Sequence, residues 1–542
     1  MKLDFSSENK SKRRIIRFSF LALGAVLTGF TVVFSKIGIL EWISLVPSAV
    51  AFIKISEDEN VRKRGLYGYG FFFFMCFYLV NYHWFINLYP LDFVSGMTKA
   101  AAVAVVLSGW IGLSLLQASM GALVFLIFGM CIRTSVVKRS APVGALLAAA
   151  LWAIFEWTQT LGWVGVPWGR LSIGQTEWLI GAQTASLFGA CFVTFMIVAV
   201  NFFAAYSILS VSKRSFFAIT AAALFVFNTV VGSFIYMTDK DDGETLDISV
   251  IQGNISSQEK WNTTLTQKTL DIYEKYTKEA ANNGAEIVVW PESSLPFNID
   301  SYISLQNYAK RLARENNVTI LVGAFTTNQD GEECNSIIAF LPDETISENV
   351  YSKRHLVPFG EFVPMRSVFE ILIPPLTEIS MLSYDLTPGE DSNVFYFDEG
   401  NIGSLICFDS IYDELARDSV ADGAQVLAIS TNDSWFLDSA ALYMHNAQAK
   451  LRAIENDRYV VRAANTGISS VINSRGEELF SLEPLSEGEI TTTVYLEDSR
   501  TLYNYIGNTF VYLCIVLVIF LEIYETISSR YFNKTIDKFR RK

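Results

Sequence analysis

The sequence is short of cations. Its 542 residues hold 42 Lys and Arg against 55 Asp and Glu, a net charge of −13 and a pI near 5.0. Neutralising nucleic-acid phosphates needs the opposite balance, so a nucleic-acid partner is excluded. The chain also lacks a glycine-rich phosphate loop, and its six cysteines and three histidines form no set with metal-ligand spacing. No cofactor and no metal are expected. Internal repeats, low-complexity tracts and heptads are missing as well. Apolar residues, by contrast, are abundant. They make up 51% of the chain, with 41 Phe, 23 Tyr and 11 Trp, more apolar surface than a disordered chain carries. A mean hydropathy of +0.30 is too high for an ordinary soluble protein and too low for one embedded throughout.

The charge is unevenly placed. Residues 1–237 carry a net +9, residues 507–542 a net +3, and residues 238–506 a net −25. Three blocks follow: an apolar, basic 1–237, an acidic, soluble-looking 238–506, and a second apolar run with a basic tail, 507–542. Apolar runs near the ~20 residues needed to cross a bilayer lie at 15–35, 36–55, 67–88, 98–130, 142–162, 181–208, 215–237 and 507–526. The sequence thus predicts a polytopic helical bundle of eight spans, seven before the acidic block and one after it. Basic residues orient it. Arg13, Arg14 and Arg17 at the N-terminus, Arg62-Lys63-Arg64, Lys138-Arg139, Lys213-Arg214 and the Arg540–Lys542 tail all fall on one side. That side is the cytoplasm, and 238–506 is then extracytoplasmic, outside the plasma membrane. Glu41 and Glu156 fall in apolar runs, where a carboxylate is expensive; an internal hydrogen-bonding role is expected for Glu156. Trp163, Trp168 and Trp178 read as an interfacial aromatic belt.

The acidic block alternates short β-rich runs with polar amphipathic stretches. The runs are 246–252, 286–290, 319–324, 336–341, 402–408, 425–430, 459–463 and 469–473; the stretches are 264–282, 301–316, 410–421 and 440–456. This is the pattern of a layered α/β domain. Three strand ends carry reactive side chains: Pro291-Glu292, the segment that opens on Lys353, and Cys407-Phe408-Asp409. A thiol at a strand end, a carboxylate to take its proton and a lysine to meet an oxyanion form a complete acyl-transfer set, given proximity. Cys334 is the other cysteine of this block; a disulfide with Cys407 would use up the thiol that this chemistry needs.

Trp290-Pro291-Glu292, Lys353 through Glu361, and Ile406-Cys407-Phe408-Asp409 resemble the three catalytic segments of the nitrilase, or carbon–nitrogen hydrolase, superfamily. The longer strings resemble the apolipoprotein N-acyltransferase family within it: Gln252-Gly253-Asn254-Ile255 with Lys260-Trp261, residues 353–364, Thr431 through Phe436, Arg452 through Glu455, Arg462 through Gly467, and Gly165 through Gly169. The resemblance implies a nitrilase-like αββα sandwich outside the membrane. It implies Glu292 as base, Lys353 at the oxyanion and Cys407 as nucleophile. Glu361 matches a second glutamate; Trp261 and Phe408 match aromatic positions near the site. The family usually carries Tyr and Glu where this chain has Phe408 and Asp409. His445 matches a family histidine, and His355 follows the lysine segment; both are expected to be architectural. The implied partners are a phospholipid acyl donor, a diacylated lipoprotein acceptor and the lipid bilayer, with a monomer expected. Two rival readings are a membrane-anchored amidase for a small extracellular substrate and a transporter or receptor with an outer ligand-binding domain. Eight spans exceed the needs of the first, and the second has no use for Glu, Lys and Cys together. A fourth reading, an inactive or repurposed homologue, hangs on Asp409.

Overall fold

The computed structural model describes residues 10–91, 97–134, 137–138, 140–238, 243–256, 266–372 and 384–540. Two compact units are present. One comprises Met1–His83, Leu107–Met237 and Ile506–Lys542; the other comprises Trp84–Val106 and Thr238–Tyr505.

The first unit is helical. Among the described residues, six helical segments are long and apolar enough to cross a bilayer: Lys10–Val33, Ser35–Glu57, Lys99–Cys131 (of this unit from Leu107 on), Ala141–Thr158, Ala190–Leu209 and Arg214–Met237. The protein is therefore membrane-associated. Phe216, Ile219, Val226, Phe227, Val230 and Phe234 are exposed along the last of these, as suits a helix whose solvent is hydrocarbon. The other two expected spans correspond to helices of different character. Lys63–Asn81 opens on Lys63 and Arg64 and is rich in Tyr. In Thr509–Arg540 the apolar part, Thr509–Tyr524, is short. The expected 36–55 span is broken rather than straight. A 3-10 turn at Ser35–Leu40 and a short helix at Glu41–Ser44 precede the helix Val46–Glu57, which starts where Pro47 needs no backbone N–H bond.

Both buried glutamates of this unit have hydrogen-bonding partners, as a polar group in an apolar bundle requires. Glu156 accepts from Trp152 Nε1 at 3.1 Å, from the Leu171 N–H at 2.9 Å and from Thr194 Oγ1 at 2.6 Å. Glu41 accepts from Gln175 Nε2, which also donates to the Gly38 carbonyl. The belt reading fails for Trp168, which is buried. Trp178 is packed too, stacked on Phe225 at 5.7 Å, and of the three only Trp163 is freely exposed.

The second unit holds thirteen strands: β1 (Thr245–Gln252), β2 (Ile287–Val289), β3 (Leu295–Asn298), β4 (Thr319–Thr327), β5 (Glu333–Phe340), β6 (Ile346–Ser352), β7 (Phe395–Phe397), β8 (Gly400–Ile406), β9 (Val426–Thr431), β10 (Tyr459–Ala464), β11 (Ser470–Ile472), β12 (Glu478–Ser481) and β13 (Gly488–Tyr495). They form two sheets, ordered β13-β1-β2-β4-β5-β6, with β3 against β4, and β12-β11-β10-β9-β8-β7. The central strands β1, β2 and β4 are parallel, as are β8, β9 and β10; β3 joins β4 parallel, and the other flanking strands pair antiparallel.

Alternation along each strand builds the layers. Ile287, Val289, Leu321, Ile337 and Ala339 point into a core shared with Ile402, Ile406, Val426, Ala428, Val461 and Ala463 of the other sheet. Their neighbours Val288, Ile320, Val322, Ile338 and Phe340 face the opposite way, onto Tyr273, Tyr276, Ala309 and Leu312 of helices Thr266–Asn282 and Ile303–Asn316. Helices Asp413–Ala421 and Ala440–Asn456 pack on β8 and β10 of the second sheet. The result is the layered α–β–β–α arrangement of a nitrilase-like domain. Because the central strands are largely buried, they read in sequence as mostly apolar runs without strict alternation.

Candidate active site

The sandwich brings strand ends together. The strands β2, β4 and β6 run in one direction in the first sheet, and β8 and β9 run together in the second. Glu292 follows β2, Lys353 follows β6, Cys407 follows β8, and Asn432 and Asp433 follow β9. Ser430 Oγ donates to the Trp290 carbonyl at 2.9 Å, which ties the end of β9 to the end of β2. Trp290 is itself anchored: its ring stacks on Tyr273 at 4.6 Å and its Nε1 donates to Thr277 Oγ1. Gly323 on β4 lies under the turn that follows. A Cβ there would come within 2.3 Å of the Pro291 carbonyl and 2.9 Å of the Glu292 Cα, so only glycine leaves room for this turn.

Lys353 is the centre of the cluster. Its Nζ donates to Glu292 Oε1 at 2.9 Å and lies 2.9 Å from Glu361 Oε2. The lysine is 1% exposed. Burial works against its charge, but the two carboxylates outweigh burial and hold its pKa well above the ordinary value. Asn335 Nδ2, from the middle of β5, donates to Glu292 Oε1 at 2.8 Å and to Glu361 Oε1 at 2.9 Å. The Asn432 N–H fixes the other oxygen of Glu292 at 2.9 Å, and the Val357 N–H that of Glu361 at 2.8 Å. Both carboxylates are thus oriented by fixed donors as well as by the lysine.

Cys407 sits in the left-handed backbone region, φ +50°. That conformation is uncommon for a residue with a Cβ and is typical of strained functional turns. Desolvation and then the negative charge of Glu292 push its thiol pKa well above the ordinary value, while Lys353 and a hydrogen bond with Thr431 pull it down. The sulfur therefore rests as a thiol and needs a base to become a nucleophile. All six cysteines, Cys334 included, are free thiols.

The shorter acid at 409 keeps a full set of contacts. Asp409 accepts from Tyr351 Oη at 2.8 Å, from the His355 N–H at 2.8 Å and from the Ile406 N–H at 3.2 Å, so it joins β8 to the segment after Lys353. Burial raises its pKa to about 6, against the opposing pull of Lys353 and these donors. An acid raised in the folded state contributes stability that is present below about pH 4 and lost as pH rises through about 6. The loss is on the order of 3 kcal/mol. Thermal melts of the detergent-solubilised protein should therefore show the Asp409→Asn variant gaining on the wild type between pH 4 and pH 7. A wild-type-minus-variant difference that stays flat across that window would refute it.

The other expected residues are also located. Phe408 is half-buried and meets Tyr412 edge-on at 5.4 Å. His355 stacks on Tyr412 at 3.8 Å; burial and Arg354 lower its pKa to about 4, which leaves it neutral and architectural. Trp261 lies outside the described residues. Sequence reasoning assigned no role to Asn335 or Asn432. Nor did it see the buried set of Asp433, His445 and Arg462, although Asp433 and Arg462 stand in strings that carried the family resemblance. Cys407 Sγ, an Asp433 oxygen and a His445 ring nitrogen lie within 4.8 Å of one another, a spacing a metal ion would accept. Yet Asp433 is already paired with the Arg462 guanidinium at 2.7 Å, and that fixed cation opposes a second one.

Both parts of the chain are similar to known proteins. Residues 247–504 match the carbon-nitrogen hydrolase family model, and residues 24–203 match the apolipoprotein N-acyltransferase N-terminal domain. The apolipoprotein N-acyltransferase of Gloeobacter violaceus is 30% identical over 92% of this chain and 91% of its own. That of Geobacter metallireducens is 31% identical over 70% of this chain and 74% of its own. Saccharomyces cerevisiae Nit3, of the nitrilase superfamily, aligns at 18% identity and a TM-score of 0.37, over 47% of this chain and 92% of that one. The chain belongs to the apolipoprotein N-acyltransferase family and is an acyltransferase of lipoproteins.

Proposed function

We propose that the chain moves an acyl group from a membrane phospholipid to the N-terminal α-amine of an S-diacylglyceryl-cysteine lipoprotein, in two steps through a thioester on Cys407. Glu292 takes the Sγ proton as the sulfur attacks the ester carbonyl. The carbonyl oxygen becomes an oxyanion beside Lys353. The ester C–O bond breaks, Glu292 returns the proton to the departing oxygen, and the lysophospholipid leaves. The lipoprotein amine then attacks the thioester, gives its proton to Glu292, and the amide forms as the Cys407 sulfur departs and is reprotonated. This is covalent catalysis with ping-pong kinetics.

The observation that carries the reading is the pairing of a protonated thiol with a carboxylate fixed by three donors and a lysine whose charge is secured by two carboxylates. Glu361 and Asn335 act through Lys353 and Glu292, as positioning residues. The topology proposed with it has eight spans and a cytoplasmic N-terminus. Residues 1–237 form seven of the spans, residues 507–542 supply the eighth and a cytoplasmic tail, and 238–506 is the extracytoplasmic catalytic domain. Donor and acceptor are both lipids, which explains why catalysis is joined to a bundle.

The thioester is the test. Purified protein incubated with phosphatidylethanolamine alone should gain the mass of one acyl chain, removable by neutral hydroxylamine. Adding a diacylated lipopeptide should discharge it and give a triacylated product. A protein that makes triacyl lipopeptide with no hydroxylamine-sensitive intermediate, or that only releases free fatty acid, would overturn the proposal.

A further inference from the structure

We propose that the buried Asp433–His445 pair is a positioning device for the nucleophile. In this role His445 grips the Cys407 carbonyl and holds that residue in its left-handed turn, with the thiol beside Glu292. The inference rests on the reading of Cys407 as nucleophile and adds to it what keeps the sulfur in place.

A residue with a Cβ stays at φ +50° only when its surroundings over-determine it. The groups that do so here can be named. Ser410 Oγ donates to the Cys407 carbonyl at 2.7 Å. His445 Nε2 lies 3.2 Å from the same carbonyl oxygen and 3.0 Å from Ser410 Oγ. On the amino side, Asp409 holds the Ile406 N–H. The backbone is thus held at the Cys407 carbonyl and at the amide of the residue before it.

The imidazole is fixed from behind. His445 Nδ1 faces Asp433 Oδ1 at 2.9 Å. Asp433 Oδ2 accepts from Arg462 Nη2 at 2.7 Å, and Thr431 Oγ1 donates to Asp433 Oδ1 at 3.1 Å. Asp433, His445 and Arg462 are each no more than 1% exposed. The pocket has no slack: a Cβ on Gly467 would fall 2.3 Å from Asp433 Oδ2. His445 comes from the helix Ala440–Asn456, Asp433 from the end of β9 and Arg462 from β10, so three elements converge on one carbonyl.

Both ring nitrogens have partners: Asp433 Oδ1 and, at 3.0 Å, the Arg462 Nη2 donor at Nδ1, and Ser410 with the Cys407 carbonyl at Nε2, where the ring N–H that grips the carbonyl must sit. The imidazole meets the peptide of the nucleophile, and in the proposed mechanism the base is Glu292. That distinguishes a positioning residue from a proton carrier, and the two respond differently to substitution. Glutamine places an amide nitrogen near the imidazole Nε2 position, whereas asparagine reaches only the Nδ1 position.

Single-turnover thioester formation on phosphatidylethanolamine should fall about 100-fold in His445→Ala, the scale of a small misplacement of a reacting group, with the phospholipid KM within about twofold of wild type. His445→Gln should recover to within about tenfold of wild type, and His445→Asn should stay near the alanine level. A glutamine variant no better than asparagine, or an alanine variant within about threefold of wild type, would overturn the proposal. Ser410→Ala is the gentler probe should the histidine variants fail to fold. It removes only the second donor to the same carbonyl, and about a tenfold slowing is expected from the same misplacement. An unchanged rate would again refute it. Alkylation of Cys407 by iodoacetamide, which needs no lipid, should follow the same order of variants. It reads the clamp even if the wild type forms no thioester, the result that would defeat the proposed function instead.

Discussion

Cys407→Ala is expected to abolish N-acylation of lipoproteins while leaving the protein folded. The sulfur is the atom that would carry the acyl group, so its removal leaves no covalent route, and a loss above about 10⁴-fold is expected. Folding should be spared. Alanine has the same Cβ and the same tolerance of φ +50° as cysteine, and the half-buried side chain lies at the margin of the core, where loss of one sulfur leaves only a small gap. The change in stability should stay within about 1 kcal/mol. Glu292→Gln should lose less, about 10²–10⁴-fold, because general-base assistance is what it removes. Its residual activity should climb with pH, since the thiol then waits on hydroxide to ionise and the carboxylate that most opposes that ionisation is gone. Cys407→Ala should show no such climb. The measurement is mass spectrometry of the N-terminal cysteine of a reporter lipoprotein made in cells that depend on each variant. Triacylated reporter at the wild-type level in the Cys407→Ala cells would end the nucleophile assignment.

How much of this was legible before any coordinates follows from where each residue's partners come from. The central strands β1, β2, β4, β8, β9 and β10 were visible because they are largely buried and mostly apolar, with few polar interruptions. So were the flanking strands β5 and β11, but β6, β12 and β13 were not. All of β12 is exposed, β6 carries Glu348 and Asn349, and β13 alternates Thr with Ile and Val at half burial, so none shows a contrast strong enough to read. In the bundle, composition located the 36–55 run, and Glu41 and Pro47 marked it as the weakest of the eight, but nothing marked the 3-10 turn and short helix that precede Val46–Glu57. Glu292, Lys353 and Cys407 stood out because each closes a strand with a reactive side chain. Asn335 gave no signal: a lone amide in the middle of an apolar strand looks like an imperfection until two carboxylates from elsewhere meet it. Asp433, His445 and Arg462 lie on three separate elements, and their convergence is a property of the sheet order rather than of any local spacing. Asp409 illustrates the reverse error. Length alone suggests a lost contact, but Tyr351 Oη and the His355 N–H come to the shorter side chain, so the departure from the family pattern is absorbed.

Lys353→Met should unfold the catalytic domain more readily than any other single change at this site. The lysine is the cation that bridges Glu292 and Glu361, and both carboxylates already share the single amide of Asn335. Methionine fills the space without the charge. Two anions are then left against each other in a buried site, and breaking such a pair costs about 3–5 kcal/mol. A melting-temperature drop on the order of 10 °C follows for a domain of this size. The sign of the pH dependence is fixed by the same picture. With the lysine gone, repulsion and burial raise the folded pKa of one carboxyl above its unfolded value. The variant is then most stable at acid pH and loses stability as pH rises through that value. In the wild type the ion pair requires ionised carboxylates, so its contribution fades on acidification. The gap between the two proteins should therefore be widest at neutral pH and close towards pH 4. Glu361→Gln makes the contrast. Its amide oxygen can still accept from the Val357 N–H, and one carboxylate remains for the lysine, so a smaller loss of about 1–2 kcal/mol is expected. A Lys353→Met protein that melts with the wild type at pH 7.5 would mean that the two carboxylates share a proton in the native protein. Lys353 would then owe its position to something other than their charge.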